Sequence, residues 1–304
     1  MHGSLIILFN KLAKYLSIPA TFIFVFDGPE RPKIKRSHEV RTAVLRWTQT
    51  VQNLVRYFGY HVHQASTSVF APGEAEAELA MLNRLGRVDA VITSDSDSLV
   101  FGARTVLRSV PHKDKQTADE IKVFTSDAVR DRLNLTYEGL VLFALLAGGD
   151  YDPTGVIGCG SQTSLGLAQC GFGERLIEAR SSGSPFLSIL DISNWRAELK
   201  LEIATNSQKK LSRRQPQLAT QVSDTFPDHQ IMDLYTHPCV SSPEHLPSHW
   251  LIHQPSLCNL TNFCRERFDW DDDYILEVFK SRIWEGAFLQ MLYSVRMAGL
   301  VEFY

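Results

Sequence analysis

Four times along its 304 residues the chain sets carboxylates at the end of an apolar run or at the opening of a helical one. Asp27 closes FVFDGP, Glu74 and Glu76 stand in APGEAEAEL, Asp95 and Asp97 follow DAVIT in TSDSDSL, and Asp150 ends LLAGGDYD. Acidic side chains next to segments as apolar as Thr21 to Phe26 or Val88 to Thr93 are costly unless their charge is offset. Mg2+ or Mn2+ with oxygen ligands offsets it. The pattern constrains the chain to a fold that gathers these stations around a divalent metal site.

Periodicity supplies a scaffold for that. Residues 5–16 read as a helix, 21–26 as a buried strand, 38–58 as a long helix and 60–65 as a short strand. A helix over 74–85 ends at Gly86, a strand spans 88–93, and further strands are expected at 106–110 and 121–124. Strands alternating with helices predict an α/β core with a mostly parallel sheet covered on both faces. Ligands bind beyond the carboxyl ends of such strands, where Asp27, Asp95 and Asp97 fall. A strongly apolar helix from Thr136 to Ala147 ends in Gly148 and Gly149, followed by a Gly-rich hairpin, GVIGCGSQTSLGLA, and mostly helical material. Pro, Ser and His are frequent between Phe226 and Pro255, which predicts a long surface connection before closing helices at 271–280 and 282–298.

Composition narrows the class. With 44% hydrophobic residues the chain can bury a sizeable core, and no apolar stretch nears the ~20 residues of a membrane span. Asn10, Lys11 and Lys14 interrupt the first apolar run, so the start reads as an amphipathic helix rather than a signal peptide. Five cysteines without a CxxC pair argue against a disulfide framework or zinc ribbon and suit a reducing intracellular compartment. A net charge of −3 does not announce nucleic-acid binding, so local patches carry the argument. Arg31, Lys33, Lys35, Arg36, Arg41 and Arg46 face only Glu30 and Glu39 over the stretch after Asp27, and could neutralise phosphates.

Each acidic station also has a plainer reading. Asp95 and Asp97, two apart after a strand, would share a face if the chain stayed extended. Glu74 and Glu76 can face one ion only from the opening turn after Pro72 and Gly73, because residues two apart diverge by ~200° in a regular helix. Alone, they read as an acidic first turn favoured by the helix dipole, and Asp27 and Asp150 as turn residues. His61 and His63 lie on one strand face without a third ligand, and read as half-exposed strand residues rather than metal ligands. Phe279, Trp284, Phe288 and Leu292 follow helical spacing and are expected in the core.

In order and with their flanks, the words FVFDGPERPKIKR, APGEAEAELA, TSDSDSLVFG and LLAGGDYDPTGVIGCG resemble the XPG-type structure-specific endonucleases, the superfamily of flap endonucleases and Holliday-junction resolvases. WRAELKLEIATN and FPDHQIMDLYTHP look most like its fungal resolvase branch. The resemblance implies a PIN-like three-layer α/β core over 1–147, then a helix-two-turn-helix and a helical C-terminal region over 148–304. It implies two Mg2+ ions, or Mn2+, ~4 Å apart, held by Asp27, Glu74, Glu76, Asp95, Asp97 and Asp150, with Lys35 positioning the scissile phosphate. Arg31, Lys33, Arg36 and Arg41 would bind DNA, Arg41 being one position out of register with the family pattern. In the hairpin, Gly158, Gly160, Ser161 and Thr163 would present backbone amides to a phosphate, near a K+ ion. Ile157 and Gln162 depart from the proline and lysine usual there.

The implied reaction is phosphodiester hydrolysis at flaps, forks or four-way junctions in nuclear DNA repair and recombination, with dimerisation on a junction left open and no membrane partner. The family's first strand, with a glycine and a further aspartate, has no counterpart here, so the chain is expected to be N-terminally truncated. The alternatives are an inactive junction-binding protein of the same fold and an RNA-cleaving enzyme of the wider PIN-like group.

Overall fold

The computed structural model describes residues 2–32, 34–36, 38–39, 46–63, 71–110, 120–181 and 185–301. Its elements run α1 His2–Tyr15, β1 Ile23–Phe24, β2 Ile34–Lys35, β3 His38–Glu39, α2 Arg46–Tyr57, β4 His61–Val62, α3 Ala75–Arg84, β5 Val91–Ile92, α4 Asp97–Val100, β6 Thr105–Val110, β7 Glu120–Thr125, α5 Ser126–Leu133, α6 Tyr137–Ala147 and α7 Ser161–Ala168. There follow α8 Phe172–Ser181, α9 Pro185–Thr205, α10 Pro216–Gln221, α11 His229–Thr236, a 3-10 turn Pro243–His245, α12 Leu257–Phe268, α13 Asp272–Arg282 and α14 Trp284–Val301. No described helix is long and apolar enough to cross a membrane.

These elements form two compact units, each assembled from separate stretches of chain: Met1–Pro29, Ala43–Ala71 and Ser241–Tyr304 in the first, Glu30–Thr42 and Pro72–Val240 in the second. Position 148, where the sequence suggests a division, lies inside the second unit.

In the first unit α1 and α2 pack with α12 to α14, and β1 pairs in parallel with β4. Phe9, Leu12, Leu16, Leu54 and Phe58 are fully buried, each contributing about 1.5–3 kcal/mol of hydrophobic stabilisation. Gln290 on α14 donates to the carbonyls of Leu16 and Ile18, each at 3.0 Å, closing the C-terminal end of α1. Phe279 is in this core, but Trp284, Phe288 and Leu292 are exposed, correcting the expectation that all four pack inside. The helical spacing is real; its stripe on α14 faces outward. His63 is buried, not half-exposed, while the partly buried His61 donates through Nε2 to the Leu251 carbonyl at 2.6 Å.

The second unit centres on α6, whose Val141, Leu142, Leu145 and Leu146 meet Leu167, Leu176, Leu199 and Ile203 from α7, α8 and α9. Thr136 caps α6 by accepting from the Gly139 amide at 3.1 Å. Gly173 lets α8 press onto the Glu138 carbonyl, where a Cβ would collide. β5 runs parallel to β6, and β6 antiparallel to β7. The buried Asn83 of α3 ties this sheet in place: its Oδ1 accepts from the amides of Arg104 and Thr105 at 2.7 and 2.9 Å, and its Nδ2 donates to the Val88 carbonyl at 2.9 Å.

The long helix expected over 38–58 is shorter. Residues 38–39 form β3, antiparallel to β2, and α2 begins at Arg46, with 40–45 outside the described residues. The connection expected over 226–255 is partly helical, because Met232 and Tyr235 of α11 are buried against the core.

All five cysteines are free. Burial pushes the Cys264 thiol up to about 12, and burial, then the charge of Glu202, pushes Cys170 up to about 11. Burial, reinforced by a hydrogen bond to Glu30, does the same to the exposed Cys239, also to about 11. A thiolate is the reactive form. At pH 8 the exposed Cys258 should therefore react with Ellman's reagent well ahead of the other four, which should become fully reactive only in guanidinium.

Candidate nuclease site

The charged residues of the second unit meet where three stretches of irregular backbone converge. Glu74 is the extended N-cap residue of α3, directly after Pro72 and Gly73, and Glu76 sits one residue inside the helix, partly buried. Gly73 is needed there because a Cβ would stand 2.6 Å from the Cys239 carbonyl. Asp95 and Asp97 lie just beyond β5, yet not in an extended segment: Ser96 has φ −82° and ψ −15°, and Asp97 opens α4. What brings the two aspartates together is a local turn in which Asp95 Oδ1 accepts from the Asp97 amide at 3.0 Å. Asp150 follows the α6 C-terminus, held by the turn 148–160.

That turn is folded on itself. Gly149 donates to the Asp152 carbonyl at 2.8 Å, Val156 to the Leu146 carbonyl at 3.0 Å, and Asp152 Oδ1 accepts from the Thr154 amide at 3.0 Å. Gly148, Gly155 and Gly158 have φ of 87°, 54° and 85°, values that disfavour residues with a Cβ. At Gly155 a Cβ would also meet the Gly148 amide and the Leu146 carbonyl, both at 2.5 Å. Gly160 is the N-cap of α7, and Ser161 and Thr163 lie in the first turn of the helix rather than in a hairpin. Gly155→Ala should therefore destabilise the protein by more than about 1 kcal/mol in denaturant unfolding.

Two cations hold the acids together. Lys35, on β2, pairs with Glu74 and reaches Asp150 at 3.2 Å. Arg36 pairs with Asp150 at 2.5 Å through its guanidinium, and its amide donates to the Asp150 carbonyl at 2.6 Å. Burial would lower the Lys35 pKa, but the hydrogen bond and charge of Glu74, with those of Asp150, raise it. Burial likewise works against the Asp150 anion, and Arg36 and Lys35 still hold it below the usual carboxylate range. For Asp97 the charge of Lys35 is outweighed: burial first, then Asp95 and Asp150, push it up to about 6.

Behind these charges stands an aromatic pair that the motifs did not point to. Tyr151 donates to Glu74, and its ring lies 4.6 Å from that of Tyr235 and 5.7 Å from the Lys35 ammonium. Gly149 makes room for the Tyr235 hydroxyl, which a Cβ would strike. The sequence signal for Tyr151 is its place in GGDYD; Tyr235 stands in FPDHQIMDLYTHP, within the stretch read as a surface connection.

Among the described residues no three His, Cys, Asp or Glu side chains already stand as a metal cage. The donor set nonetheless suits a hard divalent cation. It is all carboxylate oxygen, and the repulsion that lifts Asp97 is of the kind such a cation relieves. Of the other expected residues, Asp27 is an exposed side chain of the first unit and Arg31 a half-buried one of the second. Lys33 and Arg41 lie outside the described residues, as does the side chain of Arg46.

The ionisation of Asp97 gives a pH signature. A carboxylate whose folded pKa lies above its unfolded value loses stabilisation as pH rises through the folded value. Asp97→Asn should remove that loss in metal-free protein. Its stability advantage over the natural chain should be near nil below pH 4 and grow to roughly 1–2 kcal/mol at pH 7, allowing for solvent screening of a half-buried side chain, as read from urea unfolding at each pH.

Residues 67–150 match the XPG I-region family model. The human flap endonuclease GEN homolog 1 is 38% identical over 110 residues, covering 36% of this chain and 12% of the human protein. Flap endonuclease 1 of Methanocella arvoryzae is 30% identical over 212 residues, covering 58% of this chain and 59% of its own. The chain thus spans well under two thirds of these curated relatives. A crystal structure of the Holliday junction-resolving enzyme GEN1 with product DNA and Mg2+ superposes with a TM-score of 0.73 at 30% identity, covering 95% of this chain and 66% of the other. The catalytic core of Rad2 shares the fold at a TM-score of 0.66 and 23% identity. Residues 67–150, which include every acid from Glu74 to Asp150, therefore match an XPG I-region, on an architecture similar to that of GEN1.

Proposed function

We propose that this chain is the nuclease part of a metal-dependent, structure-specific DNA endonuclease, hydrolysing phosphodiester bonds at flaps or four-way junctions in nuclear DNA repair and recombination. The observation that carries the proposal is the meeting of Glu74, Asp95, Asp97 and Asp150 with Lys35 and Arg36 in one cluster. Structures of GEN1 that hold product DNA with Mg2+ and Mn2+ ions support metal dependence in a similar fold.

Glu74, Glu76, Asp95, Asp97 and Asp150 would hold two divalent ions, and Asp27 joins them on its motif alone. Such ions supply a lowered pKa for an attacking water and stabilisation of the leaving oxygen. The chain's own cations do the rest. Lys35 and Arg36, balanced against carboxylates in the free protein, are placed to turn toward a phosphate that carries the same charge. Tyr151 fixes the Glu74 carboxylate through one oxygen, limiting its rotation. Outside this cluster, the 148–304 part is proposed as the DNA-gripping half, with Gly158, Gly160, Ser161 and Thr163 offering the amide-rich start of α7 to a backbone phosphate near K+. Arg31, Lys33 and Arg41 are proposed phosphate contacts on the nuclease half.

Purified protein should cut 5′ flaps, forks or four-way junctions in Mg2+, and EDTA should stop it. Asp95→Asn with Asp97→Asn should lower the rate at least about a hundredfold while leaving junction affinity equal or tighter, because two charges that repel phosphate are gone. Failure to cut any of these substrates, with junction binding intact, would establish the second reading, an inactive junction-binding protein. That reading draws on the pairing of Lys35 with Glu74 and the lack of a ready-made cage among the described residues. Preference for RNA flaps over DNA flaps would overturn the assignment of substrate.

A further inference from the structure

Four cations crowd the loop between α9 and α10: Lys209, Lys210, Arg213 and Arg214, with no acidic residue in the chain between Glu202 and Asp224. All four are exposed, and none of them makes an ion pair among the described residues. A loop of like charges repels itself, so a flexible chain would spread them apart. This loop is instead built to hold them. The buried Glu202 accepts from the Ser207 hydroxyl and, at 3.0 Å, from the Gln208 amide. Asn206 closes the far side, its Oδ1 accepting from the Leu211 amide at 3.0 Å and its Nδ2 donating to the Leu211 carbonyl at 2.9 Å. Leu211 is buried between the two pairs of cations. Asn206 and Lys209 adopt φ of 49° and 56°, a left-handed backbone that a loose loop would not need.

The loop is also fixed to α7. Gly166 has no side chain where the Lys210 carbonyl packs, 2.6 Å from the position of a Cβ, and Gln215 donates to Thr163 Oγ1 at 3.0 Å in the first turn of that helix. The same turn leaves its amides without a side-chain cap, exposes Ser161 and Gln162, and carries no cation of its own. Amides that favour an anion thus stand beside a backbone-anchored loop that carries four cations.

We infer that the Lys209–Arg214 loop is a phosphate-tracking surface for duplex DNA, extending the grip of the α7 start along the sugar-phosphate backbone. The inference rests on the DNA-binding reading above and adds a contact to it. The partner is a duplex because its regularly spaced phosphates can meet four cations carried on a hydrogen-bonded loop backbone without base identity.

The test is fluorescence anisotropy in EDTA with a labelled four-way junction, a duplex and a single strand, across a salt series. Lys209→Gln, Lys210→Gln, Arg213→Gln and Arg214→Gln together should weaken junction and duplex binding at least about tenfold. They should also flatten the plot of log affinity against log salt by about 2 or more, out of the ~3.6 that four phosphate contacts at ~0.9 each supply, with a smaller effect on single strand. The pair Arg213→Lys and Arg214→Lys should keep the slope. If the fourfold variant loses its circular dichroism spectrum, single Lys209→Gln and Arg214→Gln changes should each lower the slope by about 1. Folded variants with unchanged affinity and slope, beside a natural chain that binds, overturn this inference alone. A natural chain that binds none of the probes overturns it together with the function reading.

Discussion

Gathering four carboxylates into one part of the second unit is the constraint on which the rest of that unit depends. Glu74 and Asp150 are buried, Asp95 and Asp97 half-buried, and the charge of one reaches the others, as the raised pKa of Asp97 records. Lys35 and Arg36 make the arrangement stable without a metal by sharing Glu74 and Asp150 between them. A cation on a short two-stranded hairpin is suited to this role. It can hold carboxylates in the free protein and still be reoriented by a competing anion, because its backbone is not embedded in the core.

Around this balance the backbone is shaped by what the acids require. Gly73 admits the Cys239 carbonyl so that Glu74 can stand at the start of α3. Gly148 and Gly155 take left-handed conformations so that the chain can leave α6, place Asp150 and return to start α7. Tyr151 and Tyr235 fill the space behind, supplying a hydroxyl to Glu74 and an aromatic face to Lys35. The acidic cluster and the basic Lys209–Arg214 loop lie on the same unit, and a net charge of −3 conceals both. Separating opposite charges in this way is what the proposed metal site and the proposed phosphate surface both require.

Much of the fold could be read locally. Thr136 before an apolar run predicted the start of α6, and Gly148 its end, because a capping hydroxyl and a residue free of a Cβ act within a few positions in the chain. The outward face of α14 could not be read, since Trp284, Phe288 and Leu292 have a helical period whether a neighbour covers them or not. The same limit explains the extended segment expected at Asp95 and Asp97: spacing of two fits a strand, and only the observed turn shows the alternative that won.

By itself the sequence marked the candidates for chemistry: the carboxylates, the cations after Asp27 and the glycines after α6. Their types and flanks are set by local cost, desolvation in one case and backbone strain in the other. The tertiary structure alone decided which of them meet. Lys35 reaches Glu74 and Asp150, Tyr235 comes up behind Tyr151, and the Lys209–Arg214 loop locks onto α7 across long separations in the chain. Such pairings come from packing around the α6 core, and no period or motif within either partner encodes its distance to the other.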